Sequence, residues 1–143
     1  MLEDFGLQFH HMGLAVKEPS LALKFFGGLG YQSEPAVFDS LQNVDLIICS
    51  HDVMPDVEII SPSSILDNGE GPIDSLLKRR PEGIIYHICY TTADLDDSLK
   101  RMKGAGLQIF TIQPPKPAVL FSGKPVSFYM IGGVGLIEIL ETN

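Results

Sequence analysis

Apolar positions along this chain fall into short runs, closed by glycine, proline or polar clusters. Gln8 to Val16 is apolar and reads as a strand, and Lys17-Glu18-Pro19-Ser20 ends it and opens a helix. Leu21, Leu23, Phe25, Phe26 and Leu29 recur on a helical period, and Gly27, Gly28 and Gly30 close that segment. Tyr31 to Phe38 reads as a second strand with Pro35 inside it, Asn43 to Cys49 as a third, and Val57 to Ile60 as a fourth. The same order returns further along. Ile84 to Thr91 is a strand, Thr92-Ala93-Asp94 starts a helix, and Leu95, Leu99 and Met102 form its inner stripe. Strands follow at Leu107 to Ile112, Val126 to Ile131 and Leu136 to Leu140, with Gly132, Gly133 and Gly135 around the last hairpin.

The two halves are therefore copies of one β-α-β-β-β pattern. His11 lies over His87 at a separation of 76 residues (87 − 11), and Leu23, Lys24, Gly28 and Gly30 then lie over Leu99, Lys100, Gly104 and Gly106. This predicts one α+β domain over 1–143. Module one spans about 7–62, a linker with a short helix at Pro72 to Arg80 spans about 63–82, and module two spans about 83–143. One helix on one face of each half-sheet leaves the other face free. Two βαβββ modules forming a curved mixed sheet could then enclose a central metal-binding cleft.

Four side chains break the apolar pattern. In the first strand of each half the intruder is a histidine, His11 or His87; in the last it is a glutamate, Glu58 or Glu138. The separations within the halves are 47 (58 − 11) and 51 (138 − 87) residues, a difference that loop variation would produce. A buried carboxylate is costly unless something compensates its charge. A divalent ion does so, and two imidazoles with two carboxylates suit Zn, Co, Mn, Ni or Fe. His10 faces away from His11 and meets Tyr86 at the repeat offset, so it reads as structural; His51 sits in a polar turn and reads as solvated.

Composition narrows the partners. The chain has 143 residues, a net charge of −8 and 45% hydrophobic residues, which disfavours nucleic acid or an anionic membrane as partner. No apolar run is long enough for a membrane span, and the start, MLEDFGLQ, lacks the features of a signal peptide. Cys49 and Cys89 each lie in apolar runs and read as buried thiols, so a cytoplasmic setting is expected.

At this level the chain resembles the vicinal oxygen chelate superfamily, and within it methylmalonyl-CoA epimerase-like members. HHMGLAV resembles the family's first strand, LALKFFGGLGY its first helix, VEIISP and GLIEILE its ligand-bearing last strands, and GPIDSLLKRRPEGIIYHICY its linker helix and following strand. The resemblance implies one metal held by His11, Glu58, His87 and Glu138. It also implies an isomerase or epimerase that removes a proton next to a carbonyl, with a 2-carboxyacyl-CoA as candidate substrate and Glu138 and Glu58 as candidate acid and base. Leu46 falls where some epimerases carry a further glutamate, and Asn43 stands where the family usually has glycine. A glyoxalase-like lyase acting on a thiol adduct and a non-catalytic binding or resistance protein are the alternatives. Homodimers are frequent in the family. For a CoA ester, Lys78, Arg79, Arg80, Lys116 and Lys124 are candidate phosphate contacts, and 113–125 (QPPKPAVLFSGKP) is a candidate lid.

Overall fold

The computed structural model describes residues 4–63 and 73–143, which hold nine strands and three helices, as the α+β reading expects. The chain divides into two compact units, His11–Tyr86 and Met1–His10 with His87–Asn143. No helix among the described residues is long and apolar enough to cross a membrane.

In the His11–Tyr86 unit, β1 (Gln8–Ala15, from His11 onward) lies parallel to β5 (Asp56–Pro62). β5 pairs antiparallel with β4 (Val44–Ser50), and β4 pairs in turn with the short strands β2 (Gln32–Ser33) and β3 (Val37–Asp39). One strand was expected over Tyr31 to Phe38, and two are found on either side of Pro35. Proline has no amide hydrogen to give to a ladder, so pairing lapses there and resumes. Helix α1 (Ser20–Gly28) covers one sheet face through Ala22, Leu23 and Phe26, which pack with Met12, Leu14, Val16, Ile47, Val57 and Ile59. The apolar stripe expected of this helix is only partly inward: Leu21, Phe25 and Leu29 are exposed. Helix α2 (Asp74–Arg79) falls inside the expected linker helix and buries Leu77; the expected start at Pro72 lies outside the described residues.

The other unit repeats the plan. β6 (Ile84–Thr92) lies parallel to β9 (Gly135–Glu141), which pairs antiparallel with β8 (Pro125–Ile131), and β8 pairs with β7 (Ile109–Pro117). Helix α3 (Leu95–Gly104) begins where the sequence placed it, with Asp94 as N-cap accepting a bond from the Asp97 amide at 3.1 Å. Leu95, Met102, Tyr129, Ile131, Ile137 and Ile139 form the core under it. The segment 113–125 is not one loop. β7 runs on through Pro117 with two register shifts, and Ala118 and Phe121 pack with Cys89, Val126 and Leu140. Prolines are tolerated because, among the described residues, β7 has no strand beyond it, so its missing amide hydrogens disturb no second ladder.

Asn43 explains one departure from the family pattern. Its φ is +55°, a left-handed conformation open to glycine and tolerated by asparagine. Asn43→Gly should leave stability nearly unchanged. Asn43→Val should cost about 1–2 kcal/mol, the usual penalty for a β-branched residue forced left-handed, read as a lower midpoint in urea unfolding.

Candidate functional site

Parallel pairing of the first and last strand sets the geometry in each unit. In β1 and β5, Gly13 stands opposite Glu58, and His11 is two residues before Gly13. In β6 and β9, Cys89 stands opposite Glu138, and His87 is two residues before Cys89. Positions two apart on a strand share a face, so each histidine lies diagonally beside its glutamate on one side of the sheet. The equivalence is residue for residue, since Gly13 and Cys89 are separated by the repeat offset of 76 (89 − 13).

The side chains meet accordingly. His11 Nε2 is 3.8 Å from Glu58 Oε2, and His87 Nε2 is 3.1 Å from Glu138 Oε1. All four residues are buried, at 0%, 4%, 3% and 4% exposure for His11, Glu58, His87 and Glu138. The first distance exceeds a hydrogen bond and the second is at its upper limit. Each unit thus holds one imidazole and one carboxylate out of bulk water, with opposite-charge attraction available if the imidazole is protonated. Imidazole nitrogen and carboxylate oxygen also form a donor set suited to a first-row divalent ion, so the residues fit the metal that the sequence implied.

Neighbouring residues refine this picture. Phe128 stands opposite Glu138 in the strand register, and its ring meets the His87 ring edge-on at a centroid distance of 5.4 Å. Sequence reasoning passed over Phe128, since a phenylalanine in an apolar strand carries no signal of its own. The alternation of β8, with Tyr129 in the helix-side core, was the clue available. Leu46 is buried in β4, two residues from Ile48, which stands opposite Glu58. An apolar side chain therefore occupies that position on the Glu58 face.

His51 differs from its expected solvated state. Its Nδ1 accepts from the Val53 and Met54 amides at 3.0 Å, and its Nε2 lies 3.1 Å from the Leu29 carbonyl. It therefore pins the β4–β5 turn, with the proton on Nε2. His10 packs edge-on against Phe121. Lys124 Nζ donates to the Thr142 carbonyl at 3.4 Å, while Arg79 and Arg80 are exposed at the end of α2.

The family model described as the glyoxalase/bleomycin resistance protein/dioxygenase superfamily matches residues 10–128. The chain belongs to that superfamily. The ethylmalonyl-CoA/methylmalonyl-CoA epimerase of Cereibacter sphaeroides is 41% identical over 61 residues, 42% of this chain and 44% of that protein. The mitochondrial methylmalonyl-CoA epimerase of Dictyostelium discoideum is 34% identical over 75 residues, 50% of this chain and 43% of that protein. Each match therefore spans less than half of the relative's own length. The crystal structure of methylmalonyl-CoA epimerase from Mycobacterium tuberculosis superposes with a TM-score of 0.75 at 19% identity, over all of this chain and 93% of that one. That superposition establishes the vicinal oxygen chelate fold.

Both thiols are buried, and burial pushes the Cys49 thiol above its ordinary pKa. Neither should react with a water-soluble disulfide reagent in the folded protein at neutral pH, and both should react after denaturation, read as thiol equivalents by absorbance.

Proposed function

We propose that this protein is a metal-dependent epimerase that moves a proton on the carbon next to a thioester carbonyl, with a 2-carboxyacyl-CoA such as methylmalonyl-CoA as substrate. The observation that carries the reading is the duplicated His/Glu pair, in the same strand register in both units. Two similar proteins named as ethylmalonyl-CoA or methylmalonyl-CoA epimerases supply the substrate class.

His11, Glu58, His87 and Glu138 would hold one divalent ion between them. When bound, such an ion supplies a Lewis acid for the negative charge that develops on the thioester and carboxylate oxygens. The chain's own residues move the proton. A carboxylate of Glu138 takes the α-proton, and the electron pair left on carbon delocalises onto the carbonyl oxygen. Epimerisation requires a proton to return on the opposite face, and Glu58, the corresponding residue of the other half, is the proposed donor. With Leu46 apolar, that position supplies no further carboxylate. Phe128 keeps the His87 ring oriented and dry. Arg79 and Arg80 at the end of α2, with Lys78, Lys116 and Lys124, are the proposed cations for the CoA phosphates.

Two measurements test this. Purified protein titrated with Co2+ should bind one equivalent per chain, and Glu58→Ala or Glu138→Ala should each weaken binding by roughly 10–100-fold or more. Two equivalents per chain, one for each pair, would refute a shared ion. In D2O, the protein with methylmalonyl-CoA should exchange the α-proton, followed by NMR. Glu138→Gln should lower that rate by about 10²–10⁴-fold, the usual contribution of a positioned acid or base. Retained exchange in a Glu138→Gln variant that still binds Co2+ would remove Glu138 from the role. Absence of exchange in the metal-loaded protein would remove this substrate.

A further inference from the structure

In the Met1–His10/His87–Asn143 unit the ladder between β7 and β8 changes register twice. Ile109, Phe110 and Thr111 stand opposite Ile131, Met130 and Tyr129. Gln113 then stands opposite Phe128, and Lys116 opposite Val126, so an extra residue of β7 enters on each side of Gln113. Each bulge changes which side chain of β7 meets β8. Counting on from Thr111 opposite Tyr129 without them, Ile112 would meet Phe128 and Pro114 would meet Val126. The bulges put an amide and a cation in those two places instead.

The Gln113 row crosses the sheet face that carries His87 and Glu138. Glu138, Phe128 and Gln113 stand opposite one another on β9, β8 and β7, and residues paired in this way project from the same face. The ring contact between Phe128 and His87 fixes which face that is. Neighbouring strands lie about 5 Å apart, so the Gln113 backbone stands about 10 Å from that of Glu138. The row runs from inside to outside: Glu138 and Phe128 are 4% and 5% exposed, and Gln113 is half-buried. Among the described residues the Gln113 side-chain amide makes no hydrogen bond. It therefore offers donors and an acceptor to a ligand at the outer end of the row. The corresponding row of the His11–Tyr86 unit ends differently. There Ile48 stands opposite Glu58, and Glu34, whose backbone amide donates to the Ile48 carbonyl at 2.9 Å, comes next. A carboxylate in that place accepts hydrogen bonds and repels anions, whereas a neutral amide does neither exclusively.

We propose that Gln113 hydrogen-bonds the first amide of the substrate's thiol arm, and so makes the site selective for pantetheine-type thioesters over thioesters without that amide. The inference rests on the proposed proton transfer at Glu138, which sets the thioester beside that carboxylate. In a pantetheine thioester, sulfur and two methylenes separate the thioester carbonyl from an amide. That segment is apolar, and extended it spans about one strand spacing. It crosses the apolar Phe128 position and brings the amide within reach of the Gln113 side chain. Turning its own amide lets Gln113 meet either the N–H or the carbonyl of the ligand. Lys116, turned to the same face by the second bulge, stands further along β7, where a longer arm ending in phosphates would continue.

Two thioesters of methylmalonate separate the arm from the chemistry. The N-acetylcysteamine thioester carries the amide, and the S-pentyl thioester has the same chain length without it. For α-proton exchange by the metal-loaded protein in D2O, kcat/KM should favour the amide thioester. That ratio should fall about 5–10-fold in Gln113→Ala and in Gln113→Met, the worth of one hydrogen bond, through KM and not kcat. A readout independent of turnover is the side-chain amide signal of Gln113 in isotope-labelled protein with Zn2+, identified by its loss in Gln113→Ala. It should shift on titration with the amide thioester and not with the S-pentyl one. Circular dichroism with a cooperative thermal transition checks that both variants are folded. A ratio unchanged in both variants overturns the inference, and so does a Gln113 signal that moves equally with both thioesters or with neither. Absence of exchange with both thioesters removes the proposed reaction instead, and the Gln113 signal then decides the contact with the arm by itself.

Discussion

The parallel contact between the first and last strand of each half is the constraint on which the rest depends. A parallel pair cannot be joined by a tight turn, so each half must travel through a helix and further strands before its last strand returns beside its first. That return sets a buried glutamate diagonally beside a buried histidine, in the same register in β1/β5 as in β6/β9. A slip of one residue in either ladder would turn the glutamate to the helix side, into the apolar core beside Ile59 or Ile139. Register thus protects the polar pair and the apolar core together.

Around this shared frame the two halves differ. Residues between the strand pair and the helix stay mostly apolar in both halves, but Thr92 and Ser98, bonded to each other at 2.7 Å, stand where the other half has Val16 and Ala22; their mutual bond satisfies the two buried hydroxyls. The outer helix faces are free of that constraint. One is an ion-paired, solvated surface with Asp97 and Arg101; the other carries leucine and phenylalanine in their place. The segment before the first strand differs as well, with Phe5 and Leu7 packed under α3 where Pro81 and Gly83 stand in the other half. Asn43 records a tighter limit: a backbone turned left-handed admits glycine or asparagine, and the chain uses the second.

Most element positions were readable in the sequence because the apolar period is strong in the strands and in α3, and because Asp94 and the glycines mark ends that chemistry dictates. The failures have particular causes. Pro35 split one expected strand into two, since pairing on either side of a proline is decided by the neighbouring strand β4 and not by local preference. The prolines of 113–117 favour a loop by local chemistry, yet an edge position beside β8 lets them lie in a strand. The polar turn around His51 suggests a solvated ring, but its Nε2 reaches the Leu29 carbonyl, 22 residues away in the chain. The exposure of Leu21 and Phe25 was hidden for a related reason, because a helical period shows that residues share faces and not how wide a strip the sheet will cover.

What the sequence determined by itself was the duplication, the two-module α+β plan, and the identity of His11, Glu58, His87 and Glu138 as polar residues in apolar strands. These are properties of pattern, and a pattern repeated at one offset survives without coordinates. Only the tertiary structure decided that each histidine stands two residues from the position facing its glutamate, at 3.8 Å in one half and 3.1 Å in the other. It alone decided that Phe128 backs one imidazole and that one helix face is left uncovered. Strand register and side-chain burial are contacts between distant segments. The chain encodes them through packing that has to be completed before any one residue's neighbours are defined.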